Sequence, residues 1–190
     1  MVEVMVITEK LLISKIDDLL ENYQFYGNGP LWNRTYAEFV DIIDLQFSKA
    51  KDMFTINVGV ASKFVIETCW GLNGEDMVDE PSSTVRARLG ELMYGRDVWW
   101  NLSSGGAVDE VSSAIQEVAM PFLQLNHNID HMIQLLENDL AAKRYPPGVI
   151  YLALLHYQKG ESDRCREMFE SMKLTGAWSK KASDILDALN

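Results

Sequence analysis

Apolar and polar residues alternate over two neighbouring segments in the first third of the chain. In the first, Ile43, Leu45 and Phe47 are separated by polar residues, and in the second the residues 54–60 alternate in the same way. A period of two residues places successive side chains on opposite faces of a strand. Because only the short stretch 49–52 separates the two segments, the pattern predicts an antiparallel hairpin with one buried face.

The other patterns before residue 100 predict one helix and further strands. Apolar residues recur at helical spacing over 9–23, directly after Thr8, which is a capping type. Short strands are predicted at 31–34 and 84–89, with 64–70 continuing the sheet. The segment 71–83 carries four carboxylates, two glycines and a proline, and is predicted to be a solvated loop.

The period changes to that of helices in the second half of the chain. Helices are predicted at 108–120, ended or kinked by Pro121, at 129–143, on both sides of Gly160, and at 178–189. The pair around Gly160 is similar to a single tetratricopeptide-type hairpin. The order of the predicted elements, one helix followed by strands and then by further helices, indicates an α+β fold with four to five antiparallel strands. We predict an α+β domain over 1–144 and a helical C-terminal extension over 145–190.

Composition and charge exclude several classes of protein. Of 190 residues, 47% are hydrophobic and 24% charged, which excludes a mostly disordered chain. Seventeen Lys and Arg against 28 Asp and Glu give a net charge of −11, which disfavours nucleic acid and anionic lipid as partners. The sequence shows neither a signal peptide nor a membrane span, so we expect a cytoplasmic protein.

Few residues have the spacing of a catalytic or metal site. Cys69 and Cys165 lie far apart and are expected to be ordinary thiols. His127 and His131 are four residues apart near a predicted helix start, a spacing that can hold zinc, but no third ligand is evident. We therefore favour surface or capping histidines and expect no metal, cofactor or catalytic residue.

The face of the predicted sheet opposite the core is the strongest candidate for a binding site. The alternation places six side chains there, which we call the polar sheet face: Asp44, Gln46, Thr55, Asn57, Arg86 and Arg88. Two Arg on one strand can grip a carboxylate or an acidic side chain. Trp99 and Trp100 follow, and one of two adjacent indoles can be exposed as a protein-binding anchor. The competing interpretation is a solvated face with weak cross-strand pairs.

Four blocks of sequence resemble a bacterial domain-of-unknown-function family, number 4304. They are GNGPLWNR, DIIDLQFSKAKDMFTINVGV, RARLGEL followed by WW, and AMPFL, and the resemblance covers about residues 9–140. It implies an α+β fold and no established reaction. Gln46, Asn57, Arg86, Arg88 and Trp100 lie in or beside these blocks, but the family supplies no catalytic roles to carry over. The tail beyond residue 144 departs from the pattern.

These observations favour a non-enzymatic module that binds another protein, with a basic partner favoured by the acidic charge. Some small domains of this kind resemble antidotes to bacterial contact-dependent toxins, so an antidote-like role is part of the expectation. The alternative is an enzyme or a small-ligand binder that holds an anionic group with Arg86 and Arg88. The apolar C-terminal helices pack on the first domain or form a homodimer contact. A deep pocket beside the two Arg favours the alternative, whereas a flat or convex polar face favours a protein partner or a merely solvated face.

Overall fold

The computed structural model describes residues 8–27, 29–139 and 146–189, and these form an α+β fold. The strands are β1 Tyr26–Gly27, β2 Leu31–Tyr36, β3 Phe39–Phe47, β4 Met53–Ser62, β5 Val85–Arg88 and β6 Trp100–Asn101. The longer helices are α1 Glu9–Glu21, α2 Lys63–Trp70, α3 Leu89–Tyr94, α4 Ala107–Ala114, α5 Met120–Leu125, α6 Ile129–Asn138, α7 Pro146–Gln158, α8 Ser162–Ser171 and α9 Ala177–Leu189. The sheet is antiparallel in the order β1-β2-β3-β4-β5, and β6 also pairs with β4.

The central hairpin has the predicted register. Ile43 pairs with Val58 and Leu45 with Ile56, and all four side chains are buried against the helices. Burial of these apolar side chains fixes the register, because a slip by one residue would exchange them with the polar set. The C-terminal helices share this core, since Ile150 and Leu154 belong to the same cluster of buried residues as the sheet.

The prediction of a sheet with only one buried face is wrong for one half of the hairpin. A second, smaller apolar cluster lies on the outer side of the sheet, formed by Val40, Ile42, Ala61, Ile66 and Val78. The loop 71–83, predicted to be solvated, covers it. Its anchor is the buried side-chain amide of Asn33, which donates to the Val78 carbonyl at 3.0 Å and accepts from the Val78 N–H at 2.7 Å. Glu75 and Asp79 of the loop remain exposed while Val78 points inward.

Residues 63–70 form a helix and not the predicted continuation of the sheet. Ser62 caps this helix, with its hydroxyl accepting from the Val65 N–H, and Gly71 ends it at φ 68°. A short apolar run fits both a buried strand and a buried helix, and the two caps decide between them. The strand predicted over 84–89 ends one residue earlier, at Arg88. Arg88 is the N-cap of α3, and its N–H donates to the Glu91 carboxylate in the first turn of that helix.

Pro121 does not end the helix that precedes it, so that half of the prediction is wrong, and the predicted kink stays a prediction. Residues Ile115–Ala119 form a π-helical segment that joins α4 directly to α5. Wider i→i+5 turns of this kind change the hydrogen-bond pattern locally, so the helix passes through a proline that lacks an N–H. The helix end predicted at Gly160 is confirmed, because Gly160 follows α7 and has a left-handed φ of 86°.

The C-terminal helices are tied to the sheet and to α2 by specific contacts. The Ser62 hydroxyl donates to Gln158 Oε1 at 2.9 Å, and the Trp70 indole donates to the Tyr151 hydroxyl at 2.8 Å. The hairpin of α7 and α8 is present, whereas its likeness to a tetratricopeptide unit and the boundary at residue 144 stay predictions. No helix in the described part of the chain is long and apolar enough to cross a membrane.

Candidate functional site

The polar sheet face is built as a row across three strands. Asp44 on β3 pairs in register with Asn57 on β4, and Asn57 pairs with Arg88 on β5. The Asn57 amide is almost fully buried and donates to Asp44 Oδ2 at 2.9 Å and to Gln46 Oε1 at 3.3 Å. Thr55, which pairs in register with Gln46, is also buried and donates to the Val98 carbonyl. Asn57 therefore holds Asp44 and Gln46 in fixed positions beside one another.

Arg86 and Arg88 lie on this face, as predicted, but each is held by a carboxylate that sequence reasoning missed. Arg86 Nη1 donates to both carboxylate oxygens of Glu80 at 3.2 Å, and Arg88 Nη1 donates to Asp97. Glu80 comes from the loop before β5 and Asp97 from the turn after α3. Neither position shows an alternation, so the sequence carried no signal that would place them on the sheet.

Two carboxyl groups are partly withdrawn from water: Asp44 on the polar sheet face and Glu80 beside it. Burial raises the pKa of Asp44, the hydrogen bond from Asn57 opposes the rise, and the nearby charge of Asp79 adds to it. Burial likewise raises the pKa of Glu80, while the Arg86 guanidinium opposes the rise. Within the described residues Asp44 forms no ion pair with Lys or Arg, whereas Glu80 has Arg86.

The two adjacent tryptophans are placed on opposite sides. Trp100 is 5% exposed and stacks on Phe54 with ring centroids 6.1 Å apart, so it belongs to the core and not to the binding surface proposed for it. Trp99 is half-buried at the edge of the polar sheet face. The Arg88 guanidinium lies 5.5 Å from its ring centroid, and its indole N–H donates to Asp97 at 3.2 Å. Trp99, Arg88 and Asp97 thus form one unit.

A second polar cluster lies at the other end of the sheet and was not predicted. Asp41 is fully buried and accepts from Arg34 Nε and Nη2 at 2.9 and 2.7 Å. His127 Nε2 lies 2.7 Å from the other Asp41 oxygen, and the imidazole ring stacks on Tyr36 and Phe39. The cluster joins the turn before α6 to β2 and β3, so the structure gives His127 a clear structural role.

The other residues considered for metal or thiol chemistry are hydrogen-bonded within the protein or buried. His131 Nδ1 lies 3.0 Å from Asn126 Oδ1, and Asn126 Nδ2 donates to the Phe122 carbonyl. Over residues 8–27, 29–139 and 146–189, no group of three or more His, Cys, Asp or Glu is arranged to hold a metal ion. Cys69 and Cys165 are buried, and burial raises the pKa of the Cys69 thiol to about 12. A thiol with so high a pKa is a poor nucleophile at neutral pH.

A comparison with known protein families assigns the part of the chain that contains the sheet to one family. A family model described as Domain of unknown function (DUF4304) matches residues 16–125, which is more than half of the chain. The chain belongs to this family. The family region begins within α1 and holds the whole sheet and the helices through α5, so it contains every residue of the polar sheet face. No curated protein and no solved structure matches the chain.

Proposed function

We propose that this member of the DUF4304 family is a non-enzymatic module that binds a basic protein through its polar sheet face. The observation that carries the proposal is Asp44, a half-buried carboxylate whose hydrogen bond comes from a neutral amide. A carboxylate that has already lost part of its hydration gains more from an incoming cation than a fully hydrated one does. A Lys or Arg of a partner supplies that cation.

The charge of the surrounding surface supports the same partner. Glu80 and Asp97 neutralise Arg86 and Arg88, which leaves the charges of Asp44 and Asp79 in excess. Arg88, which is held by Asp97 and Trp99, is thereby less suited to grip an acidic partner than the sequence alone suggested. A cavity lies beside Arg86, which favours a small anionic ligand at that edge, but Asp44 and Trp99, on which the protein-binding proposal depends, do not line it. The excess agrees in sign with the net charge of −11, which speeds encounter with a basic protein.

Trp99 supplies the apolar contact that such an interface needs. Its ring is held by Arg88 and its N–H by Asp97, so little rotamer freedom remains to be lost on binding. A preorganised tryptophan beside charged groups is a common composition of a binding hot spot. An antidote that covers the basic surface of a toxin is one function of this class, in a cytoplasmic setting without nucleic acid. A homodimer contact through the C-terminal helices belongs to the same proposal.

Site-specific crosslinking tests the proposal and identifies the partner in the same experiment. A photo-reactive residue replaces the exposed Gln46 in one variant and the exposed Lys10 of α1 in a control, and both are expressed in the native host. We expect a discrete adduct at position 46 that mass spectrometry identifies as a basic protein. Adducts of equal yield at both positions, or an acidic adduct partner, would contradict the proposal.

Charge reversal then separates a local contact from the overall field. Asp44→Lys and Glu117→Lys change the net charge equally, but Glu117 lies exposed on the π-helical segment away from the sheet face. With the identified partner, we expect D44K to weaken binding by about tenfold or more and E117K by about twofold or less, because a like charge placed opposite a cation costs several kcal/mol. Equal losses for the two variants would show that only long-range attraction is involved.

A further inference from the structure

The edge of β5 that does not pair with β4 borders a cavity. β5 stands last in the path β1-β2-β3-β4-β5, so its second edge faces away from the other strands. A cavity of about 490 Å³ runs along this edge, with Val85 and Ala87 on its floor. Its volume falls within the range of small-molecule sites, which is roughly 300–1,000 Å³.

One end of this edge cavity is apolar. Four helices contribute apolar side chains to its walls: Leu92 of α3, Phe122 of α5, Leu135 and Leu136 of α6, and Tyr151 of α7. Asp139, directly after α6, is the one acidic residue that the described lining contains. These elements pack on the inner side of the sheet. An aliphatic or aromatic tail inserted there is removed from water, which stabilises a complex in proportion to the apolar surface that it buries.

The other end is polar and reaches the outer side of the sheet. The Ser83 hydroxyl is buried, and within the described residues it has no hydrogen-bond partner. It lies over Gly59, because a Cβ on Gly59 would come within 2.2 Å of Ser83 Oγ. Gly59 pairs in register with Arg86, so Ser83 and Arg86 approach the same point of the sheet. A buried hydroxyl without a partner is rare and is explained when a ligand supplies one.

Arg86 retains donors that its own ion pair does not use. Glu80 engages Nη1 alone, and no hydrogen bond of Nε or Nη2 is found among the described residues. The side chain is 46% exposed, so these donors are accessible. Nε and Nη2 form the planar fork that matches a carboxylate in bidentate geometry.

We infer that the edge cavity binds a small amphipathic carboxylate, with its head on Arg86 and Ser83 and its tail among the helices. A cationic head would face the Arg86 guanidinium. A neutral head would leave the fork of Arg86 unused. The site is distinct from the contacts proposed for a protein partner, since Asp44 and Trp99 do not line it.

Three ten-carbon probes test the head group and the tail together. Decanoate, decanol and decylamine are titrated into the full chain below the critical micelle concentration of decanoate, and binding is followed by calorimetry and by shifts of backbone amide resonances. We expect saturable binding of decanoate, with the shifts concentrated on β5, α3 and α6. Decanol and decylamine should bind about tenfold or more weakly, since a charge-assisted pair of hydrogen bonds is lost.

Two matched variants test whether the carboxylate head of decanoate binds at Arg86. Arg86→Gln and Arg88→Gln remove the same charge from the same face of the same strand, but only Arg86 lines the cavity. We expect R86Q to weaken decanoate binding about tenfold or more, S83A by a smaller factor, and R88Q by less than about twofold. Thermal melts of each variant confirm folding.

The remaining outcomes overturn the inference. They are the absence of saturable decanoate binding to the wild type, decanol binding as tightly as decanoate, and equal losses for R86Q and R88Q. Ala87→Leu narrows the floor of the cavity and should weaken decanoate binding while the melt stays within a few degrees. Undiminished binding to that variant would place the ligand elsewhere.

Discussion

Replacing Gly59 with alanine tests how closely the loop before β5 lies over the sheet. Gly59 is inside the ten-residue strand β4, where glycine weakens a strand and marks a close approach by another chain segment. A Cβ at this position would lie 2.2 Å from Ser83 Oγ, 2.7 Å from Ser83 Cβ and 3.3 Å from the Val85 carbonyl oxygen. Rotation of the hydroxyl relieves the first contact only, so the loop itself must move.

The expected magnitude follows from this geometry. Overpacking by one methyl group costs about 1–3 kcal/mol when the neighbours cannot move away freely. Ser83→Ala keeps the Cβ contact, whereas Ser83→Gly removes both contacts with residue 83. We therefore expect G59A to lower the free energy of unfolding by about 2 kcal/mol, G59A/S83A to recover part of the loss, and G59A/S83G to recover more, less about 0.5–1 kcal/mol for the added glycine.

Urea denaturation followed by tryptophan fluorescence and circular dichroism measures the wild type and the five variants G59A, S83A, S83G, G59A/S83A and G59A/S83G. The coupling free energy between positions 59 and 83 from the double-mutant cycle should exceed about 0.5 kcal/mol, as for side chains in direct contact. Additive effects, or a G59A variant as stable as the wild type, would refute the packing of this loop on β4. An unchanged m value verifies that the comparison concerns the same native and unfolded states.

Four further changes have definite expected results. Asp44→Asn should stabilise the protein at pH 7, because burial raises the pKa of Asp44 and its ionisation then costs folding free energy; urea midpoints should show the gain shrinking to zero as pH falls below the ordinary pKa of 3.8, and a pH-independent difference would contradict this cause. Asp41→Asn should cost about 3 kcal/mol in urea unfolding, because Arg34 loses the fully buried carboxylate that it pairs with; a loss below about 1 kcal/mol would show that the pair is not needed. The Cys69 thiol, with its pKa of about 12, should resist iodoacetamide at pH 8 until urea unfolds the chain, and rapid labelling of the native protein by mass spectrometry would contradict its burial. Removal of 145–190 should give a folded but less soluble chain, since apolar core residues lose their cover; a calorimetric melt without a cooperative transition would show that the tail belongs to a single folding unit.

Local periodicity was sufficient for the regular elements because it reports directly on which side of an element is buried. The alternation of Ile43, Leu45, Ile56 and Val58 predicted both the hairpin and its register, and both are confirmed. The helices around Gly160 followed in the same way from one punctuating residue. The resemblance over residues 9–140 agrees with the family match over 16–125.

Some errors arose where a local signal decides between two elements, and one arose where a contact joins groups distant in sequence. The apolar run 64–70 was compatible with a strand until the caps Ser62 and Gly71 made it a helix. The loop 71–83 is polar in composition, yet it packs on the sheet because the Asn33 side-chain amide hydrogen-bonds the backbone of Val78, 45 residues away. Pro121 fits within a helix only because a π-helical segment precedes it.

The candidate sites show the same difference between what the local pattern predicts and what the tertiary structure adds. The sequence by itself determined that Asp44, Asn57, Arg86 and Arg88 share one face, because the two-residue period of a strand leaves no other arrangement once the apolar set is buried. Only the tertiary structure decided the chemistry of that face. Glu80 and Asp97 reach the two Arg from a loop and a turn, whose paths no periodicity encodes. The edge cavity likewise exists because residues of α3, α5, α6 and α7 meet beside the unpaired edge of β5, and close packing of whole elements cannot be inferred from the pattern within any one of them.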